Sequence, residues 1–320
     1  MSVRKKVTEA IGKAMGIPED KIFDKNHPYH YKNYQDNLFC PMAEQAMQSY
    51  SKGSGNELQP YQRSGKQCPA KMSSIASSSA MTFNLLGDGP AVIKGKHLPQ
   101  GAYQVQYEKQ MYTLNIGSNP ANLDAFLSSE LTKTAIFCEM KLLEWLNSPG
   151  ALKDSYQNPT YYFTPDTNAV SQPLDAYDVF NELANILKGI GFQRYDAWQM
   201  FKHLLAIYNY TSFTTQKAVE DFRKIPSMAG KYDCIILANV VNEFPKDRID
   251  EKVREGYVKY LEQEQKEQKQ FNDAVKESRI AQLFENNCKA SIEVKYLSAK
   301  DFAEDLEMTA QKRNYLQRYF

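Results

Sequence analysis

The stretch TAIFCEMKLLEW, residues 134–145, carries an apolar run of Ala135, Ile136, Phe137 and Cys138 straight into Glu139-Met140-Lys141. Read as a strand, this segment puts Glu139 and Lys141 on one face and Ile136, Cys138, Met140 and Leu142 on the other, because strand side chains alternate. The two charges would then project together from one edge of a buried sheet. Upstream, NPANLD at 119–124 supplies turn chemistry ahead of Asp124-Ala-Phe-Leu. Asp124 therefore falls at the start of a neighbouring strand, or at its hinge, where the chain folds back to set its carboxylate beside Glu139.

Two carboxylates at that spacing repel unless a cation sits between them. A hard divalent ion held by one or two carboxylates plus substrate phosphates is the usual magnesium arrangement. Asp124 and Glu139 are the candidate ligands. Lys141 would orient the attacking water, help to deprotonate it, or neutralise charge building on phosphorus, which fits phosphodiester hydrolysis. The competing account is a solvated surface pair worth under about 1 kcal/mol. Glu293 and Lys295 repeat the E-x-K pattern in another expected strand, but without a preceding acid placed as Asp124 is.

Outward from this stretch, Val3, Val7, Ile11 and Met15 recur every four residues and predict a short N-terminal helix. Residues 18–37 are polar and aromatic without period, an irregular lead-in. A helix is expected over about 40–52, stopped by the glycines of SKGSG. KMSSIASSSAMTFNLL (71–86) predicts a closely packed helix, and AYQVQYEKQMYTLNI (102–116) predicts strand. After a loop over 147–173, Leu174–Lys188 and Tyr195–Tyr208 have helical spacing. KYDCIILANVV (231–241) reads as a buried strand, 249–286 as one long exposed helix, and ASIEVKYL as a last strand before an N-cap at Ser298. The expected division is a lead-in over 1–37 and one α/β domain over 38–320.

The 320 residues, 42% of them hydrophobic, suffice for an ordinary core, and the net charge of +1 gives no global field for or against a polyanion. The five widely spaced cysteines form no C-x-x-C pair and read as reduced thiols. The N-terminal segment lacks the continuous apolar core of a signal peptide, and no stretch is long and apolar enough to span a membrane, so the expected location is the cytoplasm. Gly89 to His97 has neither the glycine spacing nor the hydroxyl of a phosphate-binding loop. Ser77–Ser79 lack a nucleophile-elbow setting, and the four histidines lack zinc spacing.

Asp124 followed by Glu139-Met-Lys141, together with GSGNEL (53–58), SSSAMTFN (77–84), NLDAFL (122–127), EMKLLE (139–144) and YDAWQMFKHLL (195–205), resembles the PD-(D/E)XK nuclease superfamily, specifically bacterial restriction-endonuclease-like proteins. The resemblance covers roughly residues 38–210. It implies a restriction-endonuclease-like α/β fold: a central mixed sheet of about four strands flanked by helices, here with a mostly helical C-terminal extension. It further implies cleavage of DNA dependent on Mg2+, for which Mn2+ would substitute, with Asp124 and Glu139 as metal ligands and Lys141 as the catalytic lysine. Glu57 matches the acid that many members carry on an N-terminal helix, or else simply begins the next segment. Glu144 matches a second acid after the lysine or is a surface charge. Gln199, with His203 one turn later, resembles a glutamine on the helix after the active-site strand, or is a polar rim residue. Leu123 stands where the motif has proline. The expected role is an endonuclease of restriction or phage defence, with a two-fold homodimer suited to cutting both strands. The alternative is a nuclease-fold DNA-binding or interaction subunit without turnover.

Overall fold

The computed structural model describes residues 2–53, 55–117 and 120–320. Ser54 of the expected helix stop and Asn119 of the expected turn lie outside them. The N-terminal helix α1 (Val3–Met15) is followed by an irregular segment of short 3-10 turns and by α2 (Glu44–Lys52). A two-stranded hairpin, β1 (Tyr61–Arg63) and β2 (Lys66–Cys68), precedes α3 (Ser78–Leu86). The serine-rich stretch is thus helical only from Ser78. Lys71–Ser73 forms a 3-10 turn, and Ser77 caps α3 by accepting from Ala80 N.

A six-stranded sheet runs in chain order from β3 (Ala91–Ile93) through β4 (Gly101–Met111), β5 (Ala121–Ser129), β6 (Thr134–Lys141) and β7 (Cys234–Val241) to β8 (Ser291–Ser298). The first four strands are antiparallel neighbours, whereas β6, β7 and β8 run parallel. Parallel neighbours require crossovers. They are α4 (Ala176–Ile190), α5 (Ala197–Thr211) and α6 (Gln216–Arg223) before β7, then α7 (Glu251–Glu277) and α8 (Ile280–Cys288) before β8. Two short helices, α9 (Ala299–Asp305) and α10 (Ala310–Leu316), close the chain, and Ser298 caps α9 as the sequence predicts.

The sheet has six strands rather than about four, because the mostly helical C-terminal part also lays β7 and β8 onto it. β6 is therefore interior, and its charged end is not a sheet edge. Its residues through Met140 are buried, as expected for a strand covered on both faces. Ile136, Cys138 and Met140 pack with Val7, Ile11, Phe83 and Phe302 on one face; Ala135 and Phe137 pack with Phe180, Phe201, Leu204 and Phe284 on the other. Glu139, with the odd-numbered set, consequently faces α5.

The single helix expected over 249–286 is two. α7 ends at Glu277, and Ser278 caps it and breaks the ladder before α8. Nor is α7 a wholly solvated rod, since Glu264 and Glu267 are each 1% exposed. Glu267 accepts from the backbone N–H groups of Gln193, Arg194 and Tyr195 at 2.7–2.8 Å. Burial pushes its carboxyl up, but the hydrogen bonds from Gln263 and these amides outweigh it and hold the group below the ordinary range. This fixes the chain entering α5. No helix among the described residues is long and apolar enough to cross a membrane, and the five cysteines are free.

Candidate active site

Strand pairing brings the acids together. Ala125 of β5 pairs with Cys138 of β6, and one residue further the same register sets Asp124 against Glu139. On the other side of β5, Glu108 stands opposite Asp124, between the pairs Tyr107–Ala125 and Lys109–Leu123. Asp124 is thus the fourth residue of β5 and not a hinge residue. It is held there because its Oδ2 accepts from Met140 N at 2.6 Å.

Glu139 is 4% exposed and surrounded by donors. Lys141 Nζ lies 2.6 Å from its Oε1, which also accepts from Gln199 Nε2 at 2.8 Å. Its Oε2 is 2.9 Å from His203 Nε2. Gln199 Oε1 in turn accepts from Lys141 Nζ at 2.7 Å. Gln199 and His203 lie four residues apart, so they descend from the same face of α5 onto one carboxylate. Burial pushes Glu139 up, but the Lys141 charge, then His203, outweigh it and bring its pKa down to about 2. For Lys141, burial works downward, while the charges of Glu139 and then Asp124 hold the ammonium above its ordinary value.

Asp124 has the opposite balance. Burial, then the charges of Glu139 and Glu108, push it well above the carboxylate range. Glu108, 8% exposed, is raised to about 7 by burial and then by Glu57, against a hydrogen bond from Asn122 Nδ2. It occupies the left-handed region at φ 49°, uncommon for a non-glycine residue. Glu57, Glu108 and Asp124 therefore crowd beside Glu139, with Lys71 paired to Glu57 and Lys141 to Glu139.

Glu57, Glu108, Asp124, Glu139, Glu144 and Gln199 all line a cleft of about 470 Å³, into whose walls Arg4, His27, His30 and Lys71 also reach. Glu57 is in irregular chain after α2, not on a helix, and its Oε1 lies 3.4 Å from Lys71 Nζ. Gly55 permits this approach, since a Cβ there would collide with both groups. Glu144 turns inward to accept from Leu142 N and Leu143 N at 2.8 and 3.0 Å, so one of its oxygens closes the turn after β6.

The structure brings Asp124, Glu139, Glu57 and Gln199 to one cleft, whereas Lys141 lines a second cavity with Glu144 and Gln199 and reaches the first group through its contacts with Glu139 and Gln199. Sequence reasoning missed Glu108 and Asn122, which nothing but strand register sets apart from their neighbours, and gave His203 no partner, although its spacing from Gln199 was the available signal. Among the described residues, no group of three or more His, Cys, Asp and Glu side chains is placed to hold a metal ion. Two carboxylates, Asp124 and Glu139, would leave the remaining positions of a hard divalent ion to water and substrate oxygens. One lone pair on Glu139 Oε2 is left after His203.

The model of the family described as Restriction Endonuclease associating with ARP matches residues 8–223. The chain belongs to that family. In this restriction-endonuclease family member, the matched span runs from α1 to the end of α6 and includes every acid of the cleft, Lys141, Gln199 and His203. It stops before β7 and β8, the two parallel strands that complete the sheet. Searches of curated proteins and of solved structures found no match.

Proposed function

We propose that the chain is a magnesium-dependent endonuclease of the PD-(D/E)XK type that hydrolyses DNA phosphodiester bonds. The observation that carries this reading is the placement of Lys141 Nζ 2.6 Å from Glu139 Oε1, with Asp124 set against Glu139 across the β5–β6 register. Asp124 and Glu139 would hold Mg2+, or Mn2+ in its place, with Glu57 and Glu108 close enough to adjust its charge. When bound, the ion supplies Lewis-acid stabilisation of charge on a phosphoryl oxygen.

The remaining work falls to the chain. Lys141, kept cationic by Glu139 and Asp124, stabilises the negative charge that grows on phosphorus and orients the attacking water. Gln199 fixes the Lys141 ammonium by accepting from it, and fixes the carboxylate by donating to it. His203 holds the other Glu139 oxygen from the buried side, so the carboxylate does not rotate. Acids at the floor of the cleft and Arg4, Lys71 and His27 on its walls suit a ligand that carries phosphates to a cation.

The setting we infer is intracellular defence against foreign DNA, in the cytoplasm, with a two-fold homodimer cutting both strands and an association with ARP, as the family description has it. A second reading, a DNA-binding subunit without turnover, draws on the three partners that already occupy most of Glu139. Calorimetric titration with Mg2+ or Mn2+ separates the two when wild type is compared with Asp124→Asn and Glu139→Gln beside a plasmid-nicking assay. Metal binding lost in both variants, with nicking that needs the metal, supports the enzyme; no metal-dependent difference supports the subunit.

A further inference from the structure

The segment YQRSGKQC, residues 61–68, is a hairpin that joins no other strand among the described residues. Ser64 and Gly65 both take positive φ, 50° and 74°, which closes a two-residue turn whose twist matches the strands. Gln62 through Gln67 are all exposed, and a side chain added at Gly65 would meet nothing within 4 Å. The tip therefore stands clear of the body, while Tyr61 and Cys68 at its base line the cleft that holds Asp124 and Glu139.

Such a ribbon gains little from its own burial, and two strands alone are marginal in water. Its charge pattern costs further stability. Arg63 pairs directly with Lys66 across the hairpin, and like charges at that position repel. Neither cation has an acidic partner among the described residues, whereas Lys71 at the base is paired to Glu57. The next cross-strand pair is Gln62 with Gln67. Two unpaired cations and two amides on a free-standing ribbon are groups that contact phosphates and base edges, and a two-stranded ribbon fits the major groove of a duplex.

We propose that the β1–β2 hairpin is a DNA-docking element that enters the major groove of a duplex lying across the acidic cleft. Arg63 and Lys66 anchor it to phosphate and base-edge oxygens. The inference rests on the nuclease reading for its choice of polyanion, and a binding measurement separates the two. The test is fluorescence anisotropy of a labelled duplex against wild-type protein and Arg63→Ala/Lys66→Ala, without divalent metal and over a salt series.

The double variant is expected to bind on the order of tenfold or more weakly, with the salt slope reduced by about two, one for each lost cation. The cleft residues and the melting temperature should be unaffected, since both changes are at an exposed tip. Equal affinity and equal slope would overturn the hairpin assignment even if the wild type nicks plasmid. No duplex binding by the wild type would overturn it as well. Hairpin-dependent duplex binding by a protein that never nicks would uphold the hairpin and remove the nuclease.

Discussion

Gln199 bridges Glu139 and Lys141, donating from Nε2 to the carboxylate at 2.8 Å and accepting at Oε1 from the ammonium at 2.7 Å. The amide cannot serve both groups unless the ion pair keeps its present geometry, so it acts as a gauge of the site. Gln199→Leu preserves the side-chain volume and removes both bonds. Hydrogen bonds to charged groups are worth about 1.5–3 kcal/mol, so nicking by this variant is expected to fall by about ten- to a hundredfold. Single-turnover rates at saturating magnesium would measure it, and an unchanged rate would show the bridge to be dispensable.

His203 is 2% exposed and its Nε2 meets Glu139 Oε2. The folded state holds Glu139 at about 2, below its unfolded value, so the group contributes stability above the unfolded carboxyl pKa that is lost as pH falls through the folded one. His203→Phe removes one of the interactions that lower Glu139, and the midpoint of acid unfolding should move to higher pH. Circular dichroism from pH 6 down to about pH 2 in both proteins would show the shift. Superimposable curves would mean that His203 does not stabilise the ionised carboxylate.

Glu264 of α7 shows the reverse linkage. Burial, then the charge of Glu267, raise its pKa to about 8, and its Oε2 has no partner. Its folded pKa lies above the unfolded value, so the associated stability is complete below the unfolded value and is lost as pH rises through the folded one. Glu264→Gln keeps the shape and removes the titration. Its unfolding free energy should therefore fall less between pH 5 and pH 9 than that of the wild type, by roughly a few kcal/mol at the alkaline end. Parallel pH profiles would contradict the buried protonated state.

Glu57 and Asp124 should differ in their effect on metal affinity. Glu57 lies off the strands and has Lys71 beside it, whereas Asp124 is fixed in β5 against Glu139. Glu57→Gln is expected to weaken magnesium binding by less than tenfold, and Asp124→Asn to abolish measurable binding, by calorimetry. Equal losses would place Glu57 in the inner ligand set.

The parts of this arrangement legible in the sequence are those set by local pattern. The apolar run ending in Glu139-Met140-Lys141 fixes which residues share a face, and the period of α5 puts Gln199 and His203 one turn apart. Non-local pairing was not legible. Nothing around Glu108 distinguishes it from other polar residues of β4 until β4 is laid beside β5, where it falls opposite Asp124. Asp124 looked like a hinge residue because Pro120 and the asparagines before it suggest a turn, yet β5 begins at Ala121. The charged repeat of α7 suggested a solvated helix, but two of its glutamates turn inward, one of them to fix the entry to α5. Such buried carboxylates have no composition signal, since their partners are backbone amides far along the chain.

The most direct test of the central claim is the rate at which Lys141→Ala nicks supercoiled plasmid in magnesium, beside wild type and Lys141→Arg. Arginine keeps the charge but does not exchange a proton at any accessible pH, so it separates charge from proton transfer and keeps Glu139 paired. Nicking by the wild type is expected only with magnesium, with a fall on the order of a hundredfold or more in Lys141→Ala. Magnesium-dependent nicking that survives Lys141→Ala at the wild-type rate would contradict it.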